Sequence, residues 1–265
     1  MPADGPIGLI AGSGRFPLLF AEAARRAGRR VVSIGHEGET DAALQPDAWV
    51  KLGQLGRIVE VFREAGCTEA VLCGGIKKPK LFDVRPDFLA LKVLARMRSF
   101  GDDAALRTVA AALEEEGVRI VSPLPLVPEL AAPRGPLSRK RFSAQHRADA
   151  ETGFAVARAL GAADVGQTVV VKRGVVLAVE AVEGTDACIA RGGALSRGGG
   201  AVVVKARKPQ QDDRFDLPAV GPLTVKALAE AGCEALAVEA GTTLILDRAE
   251  LSSSADQAGL AIEGF

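Results

Sequence analysis

Between Ile7 and Ser122, short apolar runs alternate with amphipathic stretches, and no other feature of the chain narrows its fold so far. Ile7 to Ala11 is an apolar run closed by Gly12-Ser13-Gly14. Phe16 to Ala27 then reads as a helix, with Pro17 suited to its first turn and Gly28 to its stop. Val31 to Ile34 is a second strand, and Gly56 to Gly66 a helix with Ile58, Val61, Phe62 and Ala65 on one face. Ala70 to Cys73 is a buried strand before Gly74-Gly75. Helices over Phe88 to Arg98 and Ala104 to Glu116, then a strand at Arg119 to Ser122, complete the series. Strands alternating with helices predict a parallel sheet with right-handed crossovers.

After Ser122 the pattern breaks at Pro123, Pro125, Pro128, Pro133 and Pro136, and Ser138-Arg139-Lys140-Arg141 is a basic run. The expected division is an amino-terminal domain over 1–134, a linker over 135–146 and a second domain over 147–265. In the second, a helix at Arg147 to Leu160, a hairpin around Lys172-Arg173-Gly174 and a strand at Ala201 to Lys205 are expected. A helix from Leu223 to Ala231 and strands near Ala235 to Val238 and Thr243 to Leu246 follow. Gly192-Gly193 and Gly198-Gly199-Gly200 read as the ends of a flexible surface loop.

Composition removes several function classes. Lys plus Arg and Asp plus Glu both total 33, so the basic excess of a nucleic-acid binder is missing. With 4% aromatics and no Tyr, stacking platforms for single strands are not expected either. Cys67, Cys73, Cys188 and Cys233 are widely spaced and only His36 and His146 accompany them, which reads as buried reduced thiols rather than a zinc site. Neither a signal peptide nor a membrane span is evident, so a cytoplasmic protein is expected.

Four segments carry residues suited to chemistry. Gly12-Ser13-Gly14 lies at a strand-to-helix turn, where glycines let a phosphate approach N–H groups at the helix start. Pro17 replaces the third glycine of a dinucleotide fingerprint, and the second strand ends in Gly35-His36 rather than an acid. An anion cradle and a tight packing turn both fit. Gly74-Gly75-Ile76-Lys77-Lys78 leaves the carboxyl end of a strand, the edge where α/β sheets bind ligands, and its ammonium groups suit a phosphate as well as plain solvation. Gly101-Asp102-Asp103 opens a helix, where one aspartate serves as a cap and a pair also suits Mg²⁺ with phosphate oxygens. The densest constellation runs from Lys205 to Pro218, with three carboxylates, four cations and two amides pinned by prolines. It fits a solvated loop or a metal–diphosphate site. Metal-assisted hydrolysis is the economical chemistry for a chain with two histidines.

Together these segments resemble a known family. Gly8-Leu9-Ile10-Ala11-Gly12-Ser13-Gly14 with Pro17, Gly53-Gln54-Leu55-Gly56 and Gly101-Asp102-Asp103 belong to the likeness. So do Asp164-Val165-Gly166-Gln167, Glu180 to Asp186, Lys205, Lys208-Pro209, the spaced set Gln211, Asp212, Arg214, Asp216, Pro218, Gly221 and Thr224, and Glu239-Ala240-Gly241. The chain, from Ile7 to about Asp247, resembles the UDP-2,3-diacylglucosamine pyrophosphatases of lipid A biosynthesis, of the type unrelated to calcineurin-like phosphoesterases. Lys78 stands where that family usually has Arg, and Ala219 where Thr is common.

The resemblance implies an amino-terminal Rossmann-like parallel-sheet domain and a distinct carboxy-terminal α/β domain. It implies Mg²⁺-dependent hydrolysis of the substrate's diphosphate to UMP and 2,3-diacylglucosamine 1-phosphate (lipid X). Asp216 and Asp102 are the catalytic expectations, and Asp216 and Asp212 the metal ligands. Substrate contacts are expected from Gly12, Ser13, Gly74, Gly75 and Lys78, from Gly101 and Asp103, from Gln167, Thr185 and Asp186, and from Lys205, Lys208, Gln211 and Arg214. A homodimer, peripheral on the inner face of the inner membrane and without nucleic-acid partners, is also expected. Arg134, Arg139, Lys140, Arg141 and Arg147 would meet anionic lipid. Competing readings are a nucleotide-sugar-binding protein without turnover and a nicotinamide-dependent oxidoreductase, the second disfavoured by Pro17 and the missing acid.

Overall fold

The structure, a computed structural model, describes residues 5–76, 86–97 and 102–265, with the side chains of residues 102–104 outside that description. The chain forms two compact units. The first comprises residues up to Pro128 together with Asp212–Asp216, the second Glu129–Gln211 and Leu217–Phe265.

In the first unit, β1 (Ile7–Ala11), α1 (Phe16–Arg26), β2 (Val31–His36), β3 (Ala48–Val50) and α2 (Leu55–Ala65) are followed by β4 (Glu69–Cys73), α3 (Phe88–Arg96), α4 (Asp102–Glu115) and β5 (Arg119–Ile120). The strands lie in the order β3-β2-β1-β4-β5, all parallel, which is the Rossmann-like arrangement. β1 and β2 are buried along their whole length. Ile58, Val59, Val61 and Phe62 of α2 and Ala110 and Leu113 of α4 join Ile10, Val32, Ile34 and Ile120 in one core cluster. Gly8 belongs to this packing, because a Cβ there would come within 2.7 Å of the Phe62 ring. β3 was not expected; at three residues it is too short to show a period.

The second unit contains β6 (Gly135–Pro136), α5 (Ala144–Ala162), β7 (Thr168–Lys172), β8 (Val175–Val179), α6 (Thr185–Ser196) and β9 (Val202–Lys205). After these come β10 (Ala219–Val220), α7 (Pro222–Glu230), β11 (Ala235–Val238), β12 (Leu244–Ile245), α8 (Arg248–Gln257) and β13 (Ala261–Gly264). Six strands form a mixed sheet in the order β6-β13-β11-β9-β7-β8, with β9, β11 and β13 parallel and β7 antiparallel to β9. Successive residues serve opposite faces. Val169, Val171, Val202, Val204, Ala235 and Ala237 pack with Ala150, Phe154 and Ala157 of α5. Val170, Val203, Leu236 and Ile262 pack instead with Ile189 of α6, Leu228 of α7 and Leu251 of α8. The sheet is therefore covered on both sides, as an α/β layer requires.

Besides the short strands β6, β10 and β13, two helices of this unit differ from expectation. Gly192-Gly193 does not border a loop; both glycines are buried inside α6. A Cβ on Gly192 would lie 2.5 Å from Val170 Cβ of β7, and one on Gly193 would collide with the Ala231 carbonyl after α7. Close packing, rather than flexibility, accounts for the pair. Gly198, Gly199 and Gly200 do form a turn, all with positive φ. α8, with its Ser-rich and weakly amphipathic sequence, was also missed. Gly192→Ala should therefore destabilise the fold by about 1–3 kcal/mol through overpacking, although alanine is the better helix former by about 1 kcal/mol. Urea unfolding measures the sign directly.

Candidate functional site

In the first unit, the strand order reverses between β1 and β4, and ligands of α/β sheets bind outside the carboxyl ends at such a point. The loops leaving those two strands are Gly12-Ser13-Gly14 and Gly74-Gly75, and they pair with one another. Gly12 N donates to Cys73 O at 2.8 Å, and Ser13 donates to Gly75 O from both N (2.6 Å) and Oγ (2.9 Å). A Cβ on Gly12 would strike the Gly75 carbonyl, and one on Gly74 the Ser13 carbonyl; Gly74 also has φ +85°. Close approach of two backbones thus explains these glycines, and it engages the Gly12 and Ser13 N–H groups in protein hydrogen bonds. Lys78 and Gly101 lie outside the described residues. Asp102 and Asp103 form the start of α4, and their side chains are likewise outside.

His36, which ends β2 where a ribose-binding acid would stand, is buried. Its Nδ1 is 2.9 Å from Ala11 O, to which Thr40 Oγ1 also donates at 2.7 Å. The Nδ1–H tautomer makes this contact, so the imidazole holds the carbonyl just before Gly12. Burial lowers the His36 pKa, against the raising effects of the Ala11 carbonyl and Glu39.

In the second unit, a polar cluster stands where the apolar strands end. Lys205 closes β9 and is buried, with Nζ donating to Ala219 O at 3.0 Å and to Thr185 Oγ1 at 3.3 Å. Thr185, the first residue of α6, donates to Glu180 Oε1 at 2.9 Å and lies 3.4 Å from Thr168 Oγ1. Glu180 is also buried and accepts from Gln167 N at 3.3 Å. A buried ammonium and a buried carboxylate are therefore joined through one hydroxyl, which limits the cost of taking both charges out of water. Gln167 Oε1 is buried with no hydrogen-bond partner in the structure, and such an acceptor costs about 1–3 kcal/mol until a donor reaches it. Asp186 is exposed in the first turn of α6, where the helix dipole favours an acid. Glu180 was given no role beforehand; its place in the Glu180–Asp186 part of the family likeness was the available signal.

The loop after β9 is tied down rather than solvated. Arg207 N donates to Glu239 Oε2 at 2.8 Å, and Lys208 Nζ to Asp164 Oδ1 at 2.8 Å. Gln211 is buried, with Oε1 accepting from Lys208 N at 3.1 Å and its carbonyl from Arg207 Nη2 at 2.6 Å. The chain then contributes Asp212–Asp216 to the first unit. There Arg214 forks onto Asp212, Nε to Oδ1 and Nη2 to Oδ2, both at 2.9 Å. The fork is the main reason that the Asp212 carboxyl titrates below its ordinary range, burial opposing it. Asp216 is exposed.

Among the described residues, no three His, Cys, Asp or Glu side chains are grouped to hold a metal ion. Asp212 fits a cation poorly, since guanidinium groups already engage both of its oxygens. Asp216, the other carboxylate expected to hold Mg²⁺, is the more exposed of the two. A cavity of about 490 Å³ between α2 and α3, bordered by Arg57, Asp87 and Phe88, is lined by none of the expected site residues.

Family models described as the LpxI N-terminal domain and the LpxI C-terminal domain match residues 6–130 and 133–263. The chain is also similar to the UDP-2,3-diacylglucosamine pyrophosphatase LpxI of Caulobacter vibrioides (strain ATCC 19089 / CIP 103742 / CB 15). The two are 37% identical over 272 residues, spanning 97% of this chain and 96% of that protein.

The neutral His36 yields a pH prediction. The folded protein resists protonation there, whereas the unfolded chain accepts a proton near the ordinary value of 6.5. Lowering the pH through that value therefore favours unfolding, and the His36 contribution to stability is lost towards pH 5. His36→Asn, whose amide can still donate to Ala11 O, should show a smaller loss of unfolding free energy between pH 7 and pH 5 in denaturant titrations.

Proposed function

The chain belongs to the LpxI family, and on that premise we propose that it hydrolyses the diphosphate of UDP-2,3-diacylglucosamine, giving UMP and 2,3-diacylglucosamine 1-phosphate. The observation that carries the reading to particular residues is the cluster of buried Lys205 and Glu180 joined through Thr185, with the orphaned Gln167 acceptor beside it. Lys205 and the start of α6 supply positive potential suited to an anionic group. Gln167 Oε1 supplies an acceptor for a hydroxyl or N–H of the nucleotide sugar. Lys208 and Gln211 belong to the same proposal through the loop that continues from Lys205, and Gly12, Ser13, Gly74, Gly75, Lys78, Gly101 and Asp103 are the contacts proposed for the first unit.

Asp216 is the carboxylate assigned to turnover, with Asp102 as its expected companion. Mg²⁺ held by Asp216 and phosphate oxygens would neutralise charge developing on the diphosphate. The residues of the chain bind the substrate and fix its orientation. Attachment to the inner membrane surface and a homodimeric state are parts of the proposal. Among the described residues no helix is long and apolar enough to cross a membrane. Arg139 is paired with Asp256, Lys140 with Glu234 and Arg147 with Glu263, which reduces the charge that they offer to lipid.

Incubation with UDP-2,3-diacylglucosamine and Mg²⁺ should release UMP, and a chelator should stop it. Binding without UMP release would instead indicate a nucleotide-sugar-binding protein. Asp216→Ala should fold normally and bind substrate while kcat falls by about 100-fold or more, as expected for an interaction made mainly in the transition state. Near-normal kcat would remove Asp216 from catalysis. Lys205→Met should raise KM more than it lowers kcat, as expected for a group that binds ground state and transition state alike.

A further inference from the structure

Asp212–Asp216 rests on α4 through charges of alternating sign. Arg107 and Glu114 are seven residues apart on that helix, two turns, so they share one face about 10 Å apart. Arg107 Nη1 donates to Asp212 Oδ2 at 3.0 Å, and Arg214, forked onto Asp212, reaches Glu114 Oε1 with Nη1 at 3.2 Å. Phe215 packs against the core formed by α2 and α4. The Arg214 and Arg107 guanidinium carbons lie 4.7 Å and 6.0 Å from its ring centroid. The Asp212 carbonyl accepts from Phe215 N at 2.9 Å and from Asp216 N at 3.2 Å. Asp212 therefore anchors the segment by its side chain and closes the turn that carries Asp216 by its backbone.

We propose that Arg107 is a positioning residue for Asp216, acting through Asp212, and that Asp212 and Arg214 serve the same end rather than holding metal or substrate. The proposal rests on the reading of Asp216 as the carboxylate needed for turnover. A divalent cation at Asp212 would have to displace two guanidinium groups and sit beside their charge. Arg107 touches neither reacting atoms nor cofactor in this role. It keeps a five-residue turn seated on α4, and a displacement of about 1 Å in a catalytic group can cost on the order of 100-fold in rate.

The test uses the full-length protein with Arg107→Ala, Arg107→Lys, Asp216→Ala and the Arg107→Ala/Asp216→Ala double variant. Arg107→Ala should lower kcat by about 10-fold or more with KM within about twofold, and Arg107→Lys should recover most of it. In the Asp216→Ala background, removing Arg107 should cost nothing further. Hydrogen exchange of the peptide spanning 212–216 should quicken in Arg107→Ala while that of β1 and β4 stays unchanged. This readout does not depend on which residue is catalytic. Unchanged exchange in that peptide would overturn the strut itself. Faster exchange with unchanged kcat, or an equal loss in both backgrounds, would overturn the positioning role. An active Asp216→Ala would instead defeat the functional reading on which the role rests, leaving the exchange result to judge the strut.

Discussion

Strands covered on both faces by helices can carry few polar side chains along their length, because each buried polar group must find a partner. This constraint organises both units. β1, β2, β9 and β11 are buried throughout, and charged or ionisable side chains stand at the positions where the last three end. Lys205 ends β9, His36 ends β2, and Glu239 follows β11 directly. The antiparallel β7 begins where the parallel β9 ends, so Thr168 and Gln167 arrive at the same edge from the opposite direction.

The two edges resolve their polar groups differently. In the first unit, the turns after β1 and β4 satisfy each other through backbone hydrogen bonds, and glycine is required because the chains touch. In the second, side chains satisfy one another: Lys205, Thr185 and Glu180 form one chain of hydrogen bonds whose charged ends are buried, and one acceptor on Gln167 remains unpaired. The second edge therefore has more to offer a ligand. Asp212–Asp216 adds a third element, an exposed carboxylate on a turn whose seat is an ion-pair series on α4.

Much of this was legible in the residues. Alternating apolar runs and glycine turns specified the parallel sheet of the first unit, since period and punctuation both report local structure. α6 was not legible, because its buried Gly192-Gly193 pair looks like a loop until Val170 and Ala231 are known to press against it. The place of Asp212–Asp216 was also hidden. The segment is flanked on both sides by second-unit residues, and the Arg107–Asp212 contact joins positions 105 residues apart. Interleaved charges suggested a metal–diphosphate loop, and no local pattern indicated that Arg214 would be spent on Asp212. The family resemblance supplied Asp216, which burial and periodicity leave unremarkable.

The division of labour between Asp212 and Asp216 is the centre of this account, and anomalous scattering from crystals soaked with Mn²⁺ and UMP tests it most directly. The account predicts a manganese peak beside Asp216, with Arg214 still forked onto Asp212. A peak coordinated by Asp212, with Arg107 and Arg214 displaced from it, would contradict it.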